Sequence, residues 1–291
     1  MIAVTGASSV ALGPGDPRTL EPTAFLRAKK TRKFMGTQDD LAVIAAAGAL
    51  EQAGLQAPQL GERAGLFAVV GYIPFNRDDI DPVLESSLDG ERFSMTRFSS
   101  GGFQRAHPLL TFRCLPNMPA FHVSANFDLQ GPYFVSYPGP GQVYSALEEA
   151  HILLQDGTID CAVVLAVAHQ RNFLVEHHFS RLSPPVPVTE LWDAAACLIL
   201  ERPESAAARG AATRATLRSL EHRYAPHDAL TSERATREIL TGVAQPPGER
   251  GPALLLTAVA EAVRAHAATE VEHRLQTRDH VSAHSTWQVH G

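Results

Sequence analysis

The sequence predicts a layered α/β protein, and three observations carry that reading. Residues 66–71 and 160–167 are short runs apolar on both faces, as the buried strands of parallel sheets are. Apolar residues recur at helical spacing between such runs: Leu41, Ile44, Ala45 and Leu50 in one segment, and Val143, Ala146, Leu147, Ala150, Leu153 and Leu154 in another. Residues 131–167 then read as strand, Pro-Gly-Pro-Gly corner, buried helix and strand. That is the order of a nucleophile elbow, in which a side chain on the corner sits at a helix N-terminus that favours anions.

Composition narrows the class. The chain has 291 residues, 45% hydrophobic and 19% charged, with a formal net charge of -6, which suits a globular protein and argues against a general nucleic-acid binder with a basic stripe. No apolar run reaches the length of a membrane span. The opening residues, Met1 to Gly6, lack a basic n-region and a signal-peptide core, so a cytoplasmic protein is expected. Cys114, Cys161 and Cys197 are scattered and form neither a disulfide framework nor a zinc spacing. Cys161 and Cys197 fall within apolar runs and are expected in the core.

In chain order, residues 1–13 read as a strand and a Gly- and Ser-bearing loop. The basic run 29–35, with Lys29, Lys30, Arg32 and Lys33, is either a solvated surface segment or a dock for an acidic carrier protein. A helix starts near Thr37 or Asp39, both good N-caps, and ends at Gly54; its 45–49 stretch of only Ala and Gly suits close packing on a sheet. Residues 78–102 are polar and turn-rich and read as a surface excursion or a cover. The β-favouring run Tyr133 to Tyr137 stops at the corner, and the helix beyond it ends at Gly157, a natural C′ residue. Residues 184–187 form a stiff Pro-rich connection, and 191–202 and 215–224 read as further strands. Residues 231–240 and 253–268 read as helices on either side of a Pro/Gly-rich break, and 271–291 as a strand followed by a tail.

At the elbow the chain resembles the β-ketoacyl synthases of fatty acid and polyketide assembly. That family has Gly-Pro, a strand ending in a small-residue turn that carries the catalytic Cys, a helix, then Gly-x-x-Asp and an apolar strand. Here these are Gly131-Pro132, the corner, and Gly157-Thr158-Ile159-Asp160. A second matching segment, Leu115-Pro116-Asn117-Met118-Pro119-Ala120, adjoins the first and starts a helix in the family. The likeness runs from Met1 to about Tyr224 and fades from Ala225. It implies a thiolase-like layered α/β/α fold with a complete N-terminal half (1–224) and a reduced, divergent C-terminal part (225–291), too short for the family's second half.

Counted without a gap, the family's catalytic Cys position falls on Pro140. Proline supplies no thiol and no backbone N–H for an oxyanion hole, and by itself it is an ordinary helix start. The family's His-Gly-Thr and Gly-His segments and its Gly-Phe-Gly-Gly loop are also missing. His266, His273, His280, His284 and His290 sit in none of the expected contexts. Gln142 invites comparison with the glutamine that replaces Cys in chain-length factors, but it comes two positions late. His177 and His178 beside Glu176 are a poor metal set if the segment is a strand, because adjacent side chains would point apart. No Walker, dinucleotide or Gly-x-Ser-x-Gly motif occurs.

The resemblance therefore implies a chain-length-factor-type subunit with no catalytic residue, no cofactor and no metal. Its implied partners are an active β-ketoacyl synthase and an acyl carrier protein, with a homodimer as fallback and no nucleic acid or membrane. Tyr133, Phe134, Tyr137 and Gln142 become interface or pocket candidates, because the family dimerises across this strand. Two rival readings stay open: an acyltransferase or decarboxylase using His169 or Gln142, and a homodimeric binding or regulatory module.

Overall fold

The computed structural model describes residues 1–56, 60–224, 236–277 and 280–291. The strands are β1 (Ile2–Leu12), β2 (Ala64–Val70), β3 (Leu88–Asp89), β4 (Arg92–Phe93), β5 (Tyr133–Ser136), β6 (Cys161–Ala168), β7 (Asp193–Glu201), β8 (Ala215–Tyr224), β9 (Thr236–Thr241), β10 (Thr269–Thr277) and β11 (Val281–Val289). The α-helices are α1 (Thr37–Ala53), α2 (Arg77–Ser86), α3 (Met95–Arg97), α4 (Leu110–Cys114), α5 (Met118–Phe127), α6 (Gly141–Gln155), α7 (Phe173–Ser180), α8 (Pro203–Ala208) and α9 (Leu254–Arg264).

Among the described residues, nine strands make one sheet in the order β5-β2-β6-β7-β1-β8-β11-β10-β9. Strands β5, β2 and β6 run parallel, and every later neighbour pairs antiparallel. Each residue of β2, β6 and β7 is buried, so their side chains reach two helical layers, one on each face. Leu66, Ala68, Val163, Leu165, Cys197 and Ile199 pack under α1 and α5. Phe67, Val69, Val164, Ala166 and Leu198 meet α6 and α9 on the other side. The thiolase-like α/β/α layering implied by the sequence is present.

Small residues set how closely α1 approaches the sheet. A Cβ on Gly48 would lie 2.5 Å from Ser8 Oγ, and one on Gly6 would collide with the Ala49 carbonyl. The Ala/Gly stretch of α1 thus lets helix and strand backbones nearly touch. Gly54, at φ 66°, closes the helix in the left-handed conformation that favours glycine.

The C-terminal part departs from the sequence reading. The described residues of 231–240 include no helix: 236–241 form strand β9. The rest of that span lies outside the described residues. The expected tail is a second strand, β11, which pairs with β10 along its length and returns to β8. The cause is visible in the pattern, because Val271, His273, Leu275 and Thr277 alternate inward on β10, and Ala283, Ser285, Trp287 and Val289 on β11. Trp287 is wholly buried. The helix expected at 253–268 is α9, four residues shorter at its C-terminal end. Residues 78–102, read as a surface excursion or a cover, carry most of α2, the β3–β4 hairpin and α3.

Candidate functional site

Strand β5 ends at Ser136, one residue short of Tyr137, and the Tyr137-Pro138 peptide is cis. The corner Pro138-Gly139-Pro140 then leads into α6, with Pro140 as its N-cap at φ -64° and ψ -26°. The Val143 N–H donates to the Pro140 carbonyl (3.2 Å) and the Gln142 N–H to that of Gly139 (3.1 Å). The strand, corner and helix start of an elbow are thus present, with an imino acid at the helix N-cap.

Pro138, Gly139 and Pro140 form one wall of a cavity of about 200 Å³. Gln170, His178 and Phe179 from the segment after β6, Tyr72 from just beyond β2, and Glu238 and Glu249 from the C-terminal part also line it. Gln170, His178, Phe179 and Leu182 of the segment after β6 thus line the same cavity as the corner. His177 and His178 lie on helix α7 rather than on a strand. His178 Nε2 is 3.3 Å from the Tyr72 hydroxyl, and their rings are tilted 5.0 Å apart. Among the described residues no group of three or more potential metal ligands comes together.

Beneath α6 runs a buried polar chain that sequence reasoning missed. Tyr144, in the first turn of α6, places its hydroxyl 2.7 Å from His273 Nδ1 and 3.1 Å from Ser285 Oγ. Ser285 Oγ also accepts from Trp287 Nε1 (3.0 Å). His273 Nε2 is 3.2 Å from Glu238 Oε1, so the chain ends in a carboxylate at the cavity. Tyr144, His273, Ser285 and Trp287 are fully buried, and burial pushes the Tyr144 phenol well above its usual range. Glu249 accepts the Gly251 N–H at 2.8 Å, yet burial and the nearby Glu238 charge push its carboxyl up to about 7. The signal for His273 and Ser285 was the strict alternation of β10 and β11, which puts a polar residue among apolar ones on each inward face.

Asp193, buried at the start of β7, takes hydrogen bonds from Arg171 Nε (2.8 Å) and the Arg171 N–H (2.9 Å), and lies 3.0 Å from His169 Nδ1. Burial opposes its charge, but His169 and Arg171 outweigh it and hold the carboxyl below the usual range. Arg171 also donates to the Gly13 carbonyl (3.0 Å), so this cluster ties the loop after β1 to the end of β6. His169 does not line the elbow cavity; its neighbour Gln170 does.

The sequence-derived candidates are dispersed. Tyr133 (77% exposed) borders a different groove, of about 320 Å³, with Phe121 and Gln130. Phe134 is half-buried against the α6 side of the core, Tyr137 is exposed, and Gln142 is half-buried and not among the cavity residues. In the basic turn Arg32 pairs with Asp40 at 2.7 Å, while Lys29, Lys30 and Lys33 are exposed. Cys161 and Cys197 are buried strand residues whose thiols burial pushes far up; Cys114 is half-buried. Among the described residues no helix is long and apolar enough to cross a membrane.

Parallel strands feeding a sharp corner, with helices on both faces of the sheet, define a thiolase-like fold of the condensing-enzyme type. Residues 4–183 match the family described as beta-ketoacyl synthase, N-terminal domain, and the chain belongs to that family. No curated protein sequence matches the chain. Among solved structures, the chain is similar to one in the AntDE:AntF assembly, a type II polyketide synthase acyl-carrier protein in complex with its ketosynthase bound to the hexaketide. The match covers 99% of both chains at 12% identity and a TM-score of 0.72. It is also similar to the ishigamide ketosynthase/chain length factor (20% identity, TM-score 0.57, 78% of this chain and 64% of that one). A beta-ketoacyl synthase from Burkholderia phymatum STM815 is a third (18%, 0.58, 79% and 65%). The chain thus spans just under two thirds of the last two. At these identities the likeness shows the fold alone.

Proposed function

We propose that this chain is a ketosynthase-like subunit of the chain-length-factor type, without condensing activity of its own. In this reading it pairs with an active β-ketoacyl synthase in polyketide or fatty-acid-type biosynthesis and shapes the pocket for the acyl chain. One observation supports the reading: Pro140, to which the gapless count against the family pattern assigns the nucleophile position, caps α6. The buried Cys161 and Cys197 offer no substitute thiol at the corner. Residues 1–224 form the ketosynthase-like half in this view, and 225–291 a reduced remainder that prolongs the same sheet.

Pairing is assigned to β5, an edge strand that among the described residues is bonded only to β2. The Leu66 N–H donates to the Pro132 carbonyl at 3.0 Å. By the alternation of a parallel ladder, the backbone groups of Phe134 and Ser136 then face β2, and those of Tyr133 and Val135 face outward. Exposed Tyr133 and Tyr137 flank that open edge, with Phe134 behind it. Lys29, Lys30 and Lys33, with Arg32 held by Asp40, supply a basic turn suited to an acidic acyl carrier protein. The Asp193 cluster favours the subunit reading over an acyltransferase or decarboxylase using His169, because Arg171 already engages the same carboxylate.

The test is co-expression with a ketosynthase, followed by incubation with acyl-carrier substrates and intact-mass analysis. The expected result is a stable pair in which the synthase is acylated and this chain is not. A stable acyl adduct mapped to residues 136–145, or a well-folded monomer at micromolar concentration beside the synthase, overturns the proposal.

A further inference from the structure

The elbow cavity has an electrostatic character that the missing nucleophile does not explain. Two carboxylates line it, from Glu238 and Glu249, and no Lys or Arg does among the described residues. In each, one oxygen is engaged by the protein, Glu238 Oε1 with His273 and Glu249 Oε1 with the Gly251 N–H. The other oxygen of each has no hydrogen-bond partner among the described residues. A separate observation points the same way. Gln170 is 1% exposed, lines the cavity, and its side-chain amide makes no hydrogen bond among the described residues. Buried amides are normally satisfied, and one left open towards a cavity calls for a ligand.

We propose that this cavity binds the end group of a small organic ammonium ion. An ammonium group carries three donors and one positive charge, which match the two free carboxylate oxygens and the Gln170 carbonyl oxygen. Tyr72 lines the cavity and is a ring of the kind that attracts cations. Phe179 and the corner prolines supply apolar walls for a short alkyl stem. The volume of about 200 Å³ lies below the range of drug-sized sites, so it fits an end group with a few carbons. An anion would meet two carboxylates and no Lys or Arg, and a neutral alcohol would leave the carboxylate charge uncompensated. The inference stands whether or not the chain pairs with a ketosynthase.

The test uses the purified full chain, with its partner subunit where the two co-purify. It is titrated by calorimetry with n-butylammonium chloride, 1-butanol and sodium butyrate. Butylammonium should bind in the millimolar range expected of so small a ligand, and the other two much more weakly. Glu249→Gln and Gln170→Leu should each raise its Kd about tenfold or more, circular dichroism confirming the fold. Wild type supplies a measurement that needs no variant. Near pH 7 binding should release protons, read from the buffer dependence of the heat. Glu249 is the group losing them, faced by Glu238, Tyr72 and His178, with His273 behind Glu238. Butanol or butyrate binding as tightly as butylammonium, no butylammonium binding by folded wild type, or binding without proton release overturns the proposal.

Discussion

Replacing Tyr133 by proline tests the pairing edge at the level of one hydrogen bond. Tyr133 is the first residue of β5, its side chain is 77% exposed, and its N–H faces away from β2. Proline there removes an outward donor and leaves the β2–β5 ladder intact, and prolines are tolerated on edge strands for that reason. In a pair formed along β5, the variant loses one interchain bond worth about 1 kcal/mol net. It also strands the partner's carbonyl at a further cost of about 1–3 kcal/mol. A total of about 2–4 kcal/mol raises Kd by roughly 30- to 1000-fold. Tyr133→Ala is the control, because it deletes the same ring and keeps the N–H. Sedimentation velocity over a dilution series of the co-expressed pair measures both, with circular dichroism to check the monomer's fold. Equal Kd values for Tyr133→Pro and Tyr133→Ala would refute β5 pairing through its backbone, even if the two chains still associate.

Three further outcomes are expected. Pro140→Cys should give no condensation by the chain alone, since a thiol at the corner restores neither the bases nor the oxyanion donors; product formation in a carrier-protein assay would contradict this. Tyr144→Phe keeps the packing but deprives buried His273 and Ser285 of a hydroxyl, at a cost of about 1–3 kcal/mol. For 291 residues that lowers Tm by about 2–5 °C in calorimetry, and an unchanged Tm would show that the buried chain is energetically idle. Burial pushes Asp39 up to about 8 despite the Gly36 N–H bond, so the folded state holds a proton that the unfolded chain has lost above about pH 4. Stability therefore falls as pH rises from about 4 towards 8, and Asp39→Asn should gain Tm relative to wild type across that window; a constant difference would exclude Asp39 as the source.

Legibility in the sequence followed how local the determining pattern was. The runs in β2, β6 and β7 are apolar at nearly every position, which only burial on both faces explains, and they stand where the sequence places them. The 45–49 stretch of α1 announced its close approach in the same way. Strand β9 was misread as a helix because Thr236 to Thr241 has one apolar pair, Ile239 and Leu240, that fits either period. Its strand state comes from pairing with β10, a tertiary fact. Glu238 and Glu249 line one cavity with Pro140 because β9 joins the sheet through β10 and the segment before α9 bridges to Leu191, and no spacing in the sequence encodes that.

The two ends of the sheet differ in their suitability for the proposed pairing. Strand β9 closes one end with Arg237 and Glu238 among its six residues, and charges on an edge strand discourage further pairing. Strand β5 closes the other with Tyr133, Phe134, Val135 and Ser136 and carries no charge at all. A short, uncharged, aromatic edge left open is a liability for an isolated subunit and an asset for one that docks. The C-terminal strands sharpen the contrast, because they extend the sheet only from the β1 side and leave β5 uncovered. Gly141 also packs against Val281 of β11, its position 3.4 Å from that side chain if a Cβ were present. The C-terminal strands therefore approach the start of α6 through Val281, while β5, which leads into the same corner, ends the sheet among the described residues.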